Sequence, residues 1–290
     1  MKELLILSGK GGTGKTTIAS AFIKLSKVKA FADCDVDAPN LHLVMNQSVE
    51  AKHSDYYGLP KARIDNELCI GCDICRQKCR FDAIYVKDSI YQVDYFACEG
   101  CGVCQIVCPV EAINLYPAIA GDLQLYDNDV VFSTAQLKMG SGNSGLLVTE
   151  VKKAMRIRGD DLEWAIIDGS PGIGCPVIAS LSGVDLVLVV SEPSVSGISD
   201  MERIIKTAKV FGTKIAICIN KFDINIENSH KIEKYCCDND IALVGKIPYD
   251  SKAMVATNQG KTIIDIDCQG GNAIREVYKN TLKLFNQSNS

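Results

Sequence analysis

The chain has 290 residues, of which 47% are hydrophobic and 23% charged, so disordered and fibrous classes are excluded and there is ample material for a core. No apolar run approaches the ~18 consecutive residues that a membrane span requires, and 31 basic against 35 acidic side chains argue against nucleic acid as the main partner. The 14 cysteines follow an opening Met1-Lys2-Glu3 that runs straight into a strand, which points to a cytoplasmic protein whose thiols are metal ligands, reactive groups or core residues.

The first predicted strand, Leu4-Leu5-Ile6-Leu7, leads into Ser8-Gly9-Lys10-Gly11-Gly12-Thr13-Gly14-Lys15-Thr16-Thr17, a full match to G-x-x-x-x-G-K-[ST] between strand and helix. Its glycines permit backbone conformations that turn successive N–H groups onto phosphate oxygens, and the following helix adds the positive end of its dipole. Gly9 through Thr17 is therefore the expected nucleotide cradle, with Lys15 on the β- and γ-phosphates and the Thr16 hydroxyl on magnesium. The early lysine adds specificity: Lys10-Gly11-Gly12-Thr13-Gly14-Lys15-Thr16-Thr17 resembles the deviant Walker A loop of the MinD, ParA, Mrp and nitrogenase iron-protein class of ATPases. The resemblance implies that Lys10 reaches across a nucleotide-sandwich dimer to the partner's phosphates, which couples hydrolysis to dimerisation.

A second strand, Lys29 to Asp33, is followed by Asp33-Cys34-Asp35-Val36-Asp37-Ala38-Pro39-Asn40, which resembles switch I of that class. The likeness implies that Asp35 positions or activates the attacking water. Asp33 and Asp37 are left as either site residues or loop and capping acids.

Eight cysteines then fall in two runs, Cys69-x2-Cys72-x2-Cys75-x3-Cys79 and Cys98-x2-Cys101-x2-Cys104-x3-Cys108-Pro109, each with the spacing of a bacterial 4Fe–4S motif. The halves repeat, Cys79-Arg80-Phe81-Asp82-Ala83-Ile84 matching Cys108-Pro109-Val110-Glu111-Ala112-Ile113. Two such quartets fit single tetrahedral zinc ions poorly. The segment resembles a two-cluster ferredoxin, whose crossover rule gives Cys69, Cys72, Cys75 and Cys108 to one cluster and Cys98, Cys101, Cys104 and Cys79 to the other. Arg80 departs from the usual proline, and either tunes that cluster or faces solvent. Boundaries near Pro60 and Pro117 make residues 61–117 an insert in an ATPase domain formed by 1–60 and 118–290.

Past the insert, the strand Trp164 to Ile167 ends in Asp168-Gly169-Ser170-Pro171-Gly172, resembling switch II. By that likeness Asp168 holds magnesium through water, and Gly169 or Gly172 senses the γ-phosphate by its N–H. Cys175, just beyond, is a candidate interface thiol and equally a small core residue. Further strands are expected at Leu186 to Val190, Ile215 to Ile219 and Ala242 to Ile247. Asn220 and Pro248 follow the last two and resemble the class's adenine-binding positions; an amide offers a base both a donor and an acceptor. Gly140 to Gly145 and Ser191-Glu192-Pro193-Ser194 add to the likeness without a chemistry of their own. Cys34 and Cys218 read as core, and Cys236-Cys237 as a diverging pair on a helix. Ile274, Val277, Tyr278, Leu282 and Phe285 mark a final core-facing helix with five residues after it.

These elements predict an α/β protein: a mostly parallel, doubly wound P-loop sheet carrying a small inserted α+β ferredoxin-like unit. The implied function is a dimeric ATPase, homomeric or paired with a related ATPase, that uses ATP, Mg2+ and two 4Fe–4S clusters to pass electrons to, or to build, a partner's metal centre. No nucleic-acid or membrane partner is expected. The alternative is a MinD- or ParA-like positioning or scaffold ATPase whose clusters sense redox state or stabilise the fold. Amidation in the manner of cobyrinic acid diamide synthases would need a glutaminase domain for which the remaining length has no room.

Overall fold

A computed structural model describes residues 1–45 and 47–287; the last three residues of the expected tail lie outside the described residues. In chain order the strands are β1 (Lys2–Leu7), β2 (Ala30–Asp33), β3 (Lys52–Tyr57), β4 (Lys61–Ile64), β5 (Ile84–Lys87), β6 (Ile90–Val93), β7 (Ile113–Tyr116), β8 (Ile119–Asp127), β9 (Val131–Leu137), β10 (Trp164–Asp168), β11 (Leu186–Ser191), β12 (Lys214–Asn220) and β13 (Ala242–Ile247). The helices are α1 (Lys15–Ser26), α2 (Ile74–Lys78), α3 (Val103–Ile106), α4 (Ser144–Arg158), α5 (Cys175–Leu181), α6 (Val195–Val210), α7 (Ile226–Asp238), α8 (Lys252–Asn258) and α9 (Gln269–Asn286).

Among the described residues one sheet dominates, in the order β13-β12-β11-β1-β10-β2-β9-β8-β3. Every pairing from β13 to β9 is parallel, and β8 and β3 complete the sheet antiparallel. The α/β expectation therefore holds, but β3, β8 and β9 were not anticipated. In β3, Lys-His-Ser-Asp-Tyr-Tyr, all but Tyr56 are exposed, as an edge strand allows, so the sequence carries no apolar signal there.

Alternation along the central strands explains why the sheet is covered twice. Leu5, Leu7, Val187 and Val189 pack under α4 to α7 with Leu147, Val151, Ile204 and Ile232, whereas Leu4, Ile6, Leu188 and Val190 pack under α1 and α9 with Phe22, Ile274 and Val277. In α9 the expected apolar positions Ile274, Val277 and Phe285 are buried, and the Sγ of Cys268 caps the helix by accepting from Gly271 N at 3.3 Å. Because β1, β2, β10, β11, β12 and β13 run the same way, their C-terminal ends share one edge, the place where ligands bind in open α/β sheets. No helix among the described residues is long and apolar enough to cross a membrane.

Residues between β3 and β8 fold around a separate hydrophobic cluster of Ala62, Cys75, Ala83, Ile84, Cys98 and Ile113. The sequence repeat is also a backbone repeat. Gly71 and Gly100, Asp73 and Gly102, and Asp82 and Glu111 occupy matching positions, and all six adopt left-handed φ. The halves exchange equivalent bonds: Asp65 N donates to Ala112 O and Asp94 N to Ala83 O, both at 2.7 Å. β4 pairs with β7 and β5 with β6.

Candidate active site and the cysteine quartets

At the shared edge the loop after β1 enters α1 through Gly14, whose φ of 91° favours glycine. A Cβ there would also strike the Asn220 amide, 2.3 Å away. The end of β12 clamps this loop: Asn220 Nδ2 donates to Thr13 O at 2.6 Å, and Lys221 Nζ donates to Gly12 O at 2.8 Å. Beside the clamp lies a cleft of about 380 Å3, lined among others by Gly12, Gly14, Thr17, Asn220, Pro248 and Tyr249. Asn220 and Pro248 thus meet the glycine-rich loop after β1 in one cleft, with Asn220 Nδ2 committed to Thr13 O.

Lys15 is 5% exposed and ion-paired with Oδ1 of fully buried Asp168, the last residue of β10. Burial opposes the lysine's charge, but Asp168 and then Asp33 outweigh it and hold its pKa above the ordinary value. The other carboxylate oxygen, Asp168 Oδ2, is buried with no hydrogen-bond partner among the described residues. With the neighbouring Thr16 hydroxyl, 3.4 Å from Lys15 Nζ, it makes a hard-oxygen donor set that suits magnesium in kind.

Asp33, an uncertain loop acid in sequence, organises the segment that follows it. Its Oδ1 accepts from Asp35 N, and its Oδ2 from Asn40 N and Leu41 N, at 2.9–3.0 Å. Burial and the nearby Asp168 push its carboxyl up to about 7. Asp35 is half-buried; burial also raises its carboxyl, with Lys15 pulling the other way. Asp37 is exposed. Ser170 Oγ donates to Cys34 O and ties the segment after β10 to the segment after β2.

Two groups with expected roles make contacts within their own chain. Gly169 N donates to Ile6 O and Gly172 N to Ser8 O, each at 2.9 Å, so neither N–H is free to meet a phosphate as the chain stands. Lys10 lies against its own chain: its ammonium pairs with Glu192 and donates to Ser194 Oγ at 3.1 Å and Ser196 Oγ at 3.2 Å. Both sets of contacts join residues far apart in sequence, which local spacing does not encode.

Residues 4–263 match the CobQ/CobB/MinD/ParA nucleotide-binding domain. The chain belongs to this family of P-loop ATPases. An uncharacterized protein of Methanocaldococcus jannaschii is 32% identical over 98% of this chain and 97% of its own length. An iron-sulfur cluster carrier protein of the same organism is 20% identical, covering 96% of this chain and 82% of its own. In fold the ATPase resembles the septum site-determining protein MinD of Pyrococcus horikoshii OT3, solved with Mg-ADP, at a TM-score of 0.59, 18% identity, and coverage of 98% and 97% of the two chains.

The ATPase carries its cysteine runs in the segment between β3 and β8. One narrow cavity is lined by Cys69, Cys72, Cys75 and Cys108, and another by Cys79, Cys98, Cys101 and Cys104. Burial raises the Cys75 and Cys104 thiols, and the sulfurs around each add to the shift. Among the described residues no group of three or more His, Cys, Asp or Glu side chains closes around the position of a metal ion. Arg80 faces solvent.

The second quartet borders the ATPase. A Cβ on Gly100 would fall 2.0 Å from Pro60 O, and Lys61 Nζ donates to Cys98 O. The glycine-rich loop before α4, which sequence left without a role, touches both sides. Gly140 lies under the Phe96 ring and Gly142 beside Glu99, while the Cβ position of Gly145 is 3.1 Å from Cys175 Cβ. Cys175 is exposed at the start of α5. Buried Lys152 of α4 donates to Ser180 O at 2.6 Å and Ser182 O at 2.7 Å, so α4 and α5 are fastened as a pair. Cys34, Cys218 and Cys236 are buried and Cys237 exposed, as packing residues and a diverging helical pair should be.

Proposed function

We propose that this is a cytoplasmic, dimeric, Mg-ATP-dependent ATPase that couples its nucleotide state to one-electron chemistry in the segment 61–117, which acts as a ferredoxin-like unit inserted between 1–60 and 118–290. Its output is electron transfer to a partner metalloprotein, or assembly or activation of that partner's metal or iron–sulfur centre. The observation that carries the reading is the sorting of eight thiols into two crossed quartets, each around its own cavity. Four soft donors per cavity fit an iron–sulfur cluster in kind. When bound, 4Fe–4S clusters supply one-electron transfer, one held by Cys69, Cys72, Cys75 and Cys108 and the other by Cys79, Cys98, Cys101 and Cys104.

In the ATPase half, Gly9 to Thr17 cradle the phosphates, and Lys15 turns from Asp168 to the β- and γ-phosphates. Thr16 by its hydroxyl and Asp168 through water would hold magnesium, which would neutralise phosphate charge, and Asp35 would hold the attacking water by a hydrogen bond. Asn220 accepts from the adenine amino group, and Pro248 walls the base. Lys10 serves the opposite protomer, whether a second copy or a related ATPase. For Gly172 to sense the γ-phosphate it must release Ser8 O, and that release moves the residues leading to Cys175 and α5. The α4–α5 pair and the glycine-rich loop offer a contact route from there to Phe96 and Glu99, beside the second quartet.

Anaerobic reconstitution tests the redox part. About eight iron and eight sulfide per chain are expected, and Cys79→Ser should remove the same cluster as Cys101→Ser; one or two zinc ions in place of iron would sink it. Liposome sedimentation and gel-shift assays, expected to be negative, separate this function from a positioning role.

A further inference from the structure

Glu192 follows β11 directly, and its carboxylate receives two ammonium groups, Lys10 in direct contact and Lys221 at 3.6 Å. Burial works against its charge, yet the two lysines hold the Glu192 carboxyl below its ordinary range. Ser194 Oγ, which caps α6 by accepting from Gly197 N at 3.0 Å, and Ser196 Oγ complete the seat of the Lys10 ammonium. The backbone around this seat is held on both flanks. A Cβ on Gly9 would fall 2.2 Å from Asp200 Cβ, so the base of the loop is locked to α6. On the other flank Lys221 Nζ holds Gly12 O, so the loop is pinned on both sides of Lys10, whose side chain is partly exposed and can move without the backbone.

We infer that Glu192 is a positioning residue that parks Lys10 on its own protomer and must release it before the nucleotide-bound dimer can close. The inference rests on the cross-dimer role proposed for Lys10. Lys221 makes the release affordable: it donates to Gly12 O and stays near Glu192, so the carboxylate keeps one cation when Lys10 leaves. The Lys10 and Glu192 side chains are 33% and 20% exposed, so each contact is one that solvent can replace. A pair of this kind shifts an equilibrium about 3-fold. Two lysines leave their seats per dimer, so removing the charge of Glu192 should raise the dimerisation constant about 10-fold.

The test is sedimentation of Glu192→Gln against the wild type, with Mg2+ and a non-hydrolysable ATP analogue. Tighter dimerisation by about that factor is expected, and unchanged or weaker dimerisation overturns the inference. The increase should persist in a Lys221→Ala background; its disappearance there would mean that Glu192 acts through Lys221. Ser196→Ala, which leaves Glu192 in place, should shift dimerisation the same way by about 2-fold, and a shift the other way also counts against parking. If Lys10→Ala dimerises and turns over like the wild type, the cross-dimer role itself fails, a result separate from those of the Glu192 variants.

Discussion

The Lys15 ammonium and the Asp168 carboxylate meet as an ion pair in the centre of the sheet edge, the lysine 5% exposed and the aspartate fully buried. The lysine that opens α1 and the acid that ends β10 therefore neutralise each other where phosphate and magnesium are expected, and each ligand replaces one partner of the pair. A buried charge left alone costs far more than an exposed one. Asp168→Asn should lower the stability of the nucleotide-free protein by about 3 kcal/mol, a fall of roughly 6–12 °C in melting temperature. It should also abolish ATP turnover. Lys15→Met combined with Asp168→Asn should cost less than the two single changes added; strict additivity would show that the pair is not coupled.

Asp33 gives the nucleotide-free protein a pH dependence of definite sign. Its carboxyl rises from an ordinary 3.8 to about 7 on folding, so the folded chain holds that proton more tightly than the unfolded chain. The stability this confers is complete below pH 3.8 and is lost as the pH climbs through about 7. Urea unfolding of the metal-free protein should show this decline between those limits, flattened in Asp33→Asn. The same slope in the variant would assign the titration to another group.

Lys152 should behave as a structural clamp. Burial lowers its pKa, yet its ammonium donates to Ser180 O and Ser182 O and lies 3.4 Å from Glu3, which Arg156 also engages. Lys152→Met leaves Glu3 its arginine, and Ser182 O keeps Arg156 Nη2 at 3.3 Å, but it removes the ammonium from Ser180 O at the end of α5. A loss of about 2–4 kcal/mol is expected by thermal unfolding, and an unchanged melting temperature would refute the clamp.

Much of the fold and of the site was legible in short motifs. The apolar runs marking β1, β2 and β10 to β12 are strands buried on both faces, the run of β13 is a half-buried edge strand, and a phosphate loop needs its glycines and lysine within a few residues. The crossover rule that the ferredoxin resemblance implies groups the same four thiols that line each cavity. Contacts made by tertiary closure were not legible: Asn220 with Thr13, Lys152 with Ser180, and Lys10 with Glu192 join residues on different strands and helices. β3 escaped because an edge strand can form its ladder with exposed, polar side chains.

The glycine-rich loop supplies a test of coupling between the two halves of the molecule. Gly140 has φ +73°, and a Cβ there would sit 3.0 Å from the Phe96 ring. Gly140→Ala should cost about 1–2 kcal/mol through its left-handed backbone and push the loop off Phe96. In the iron-free wild type, the alkylation rate of exposed Cys101 is expected to change when Mg2+ and an ATP analogue are added. The variant should lose most of that response; an identical response would remove the loop from the route.

Tyr57 pairs with Ile119 where β3 and β8 meet, and Gly58 N donates to Ala118 O at 3.2 Å. To the sheet, everything between those residues is the tip of a hairpin, however many cysteines it carries. Closing a longer loop costs only about 0.6 kcal/mol for each doubling of its length. The segment between those residues can therefore lengthen or shorten at little cost while every pairing of the sheet survives.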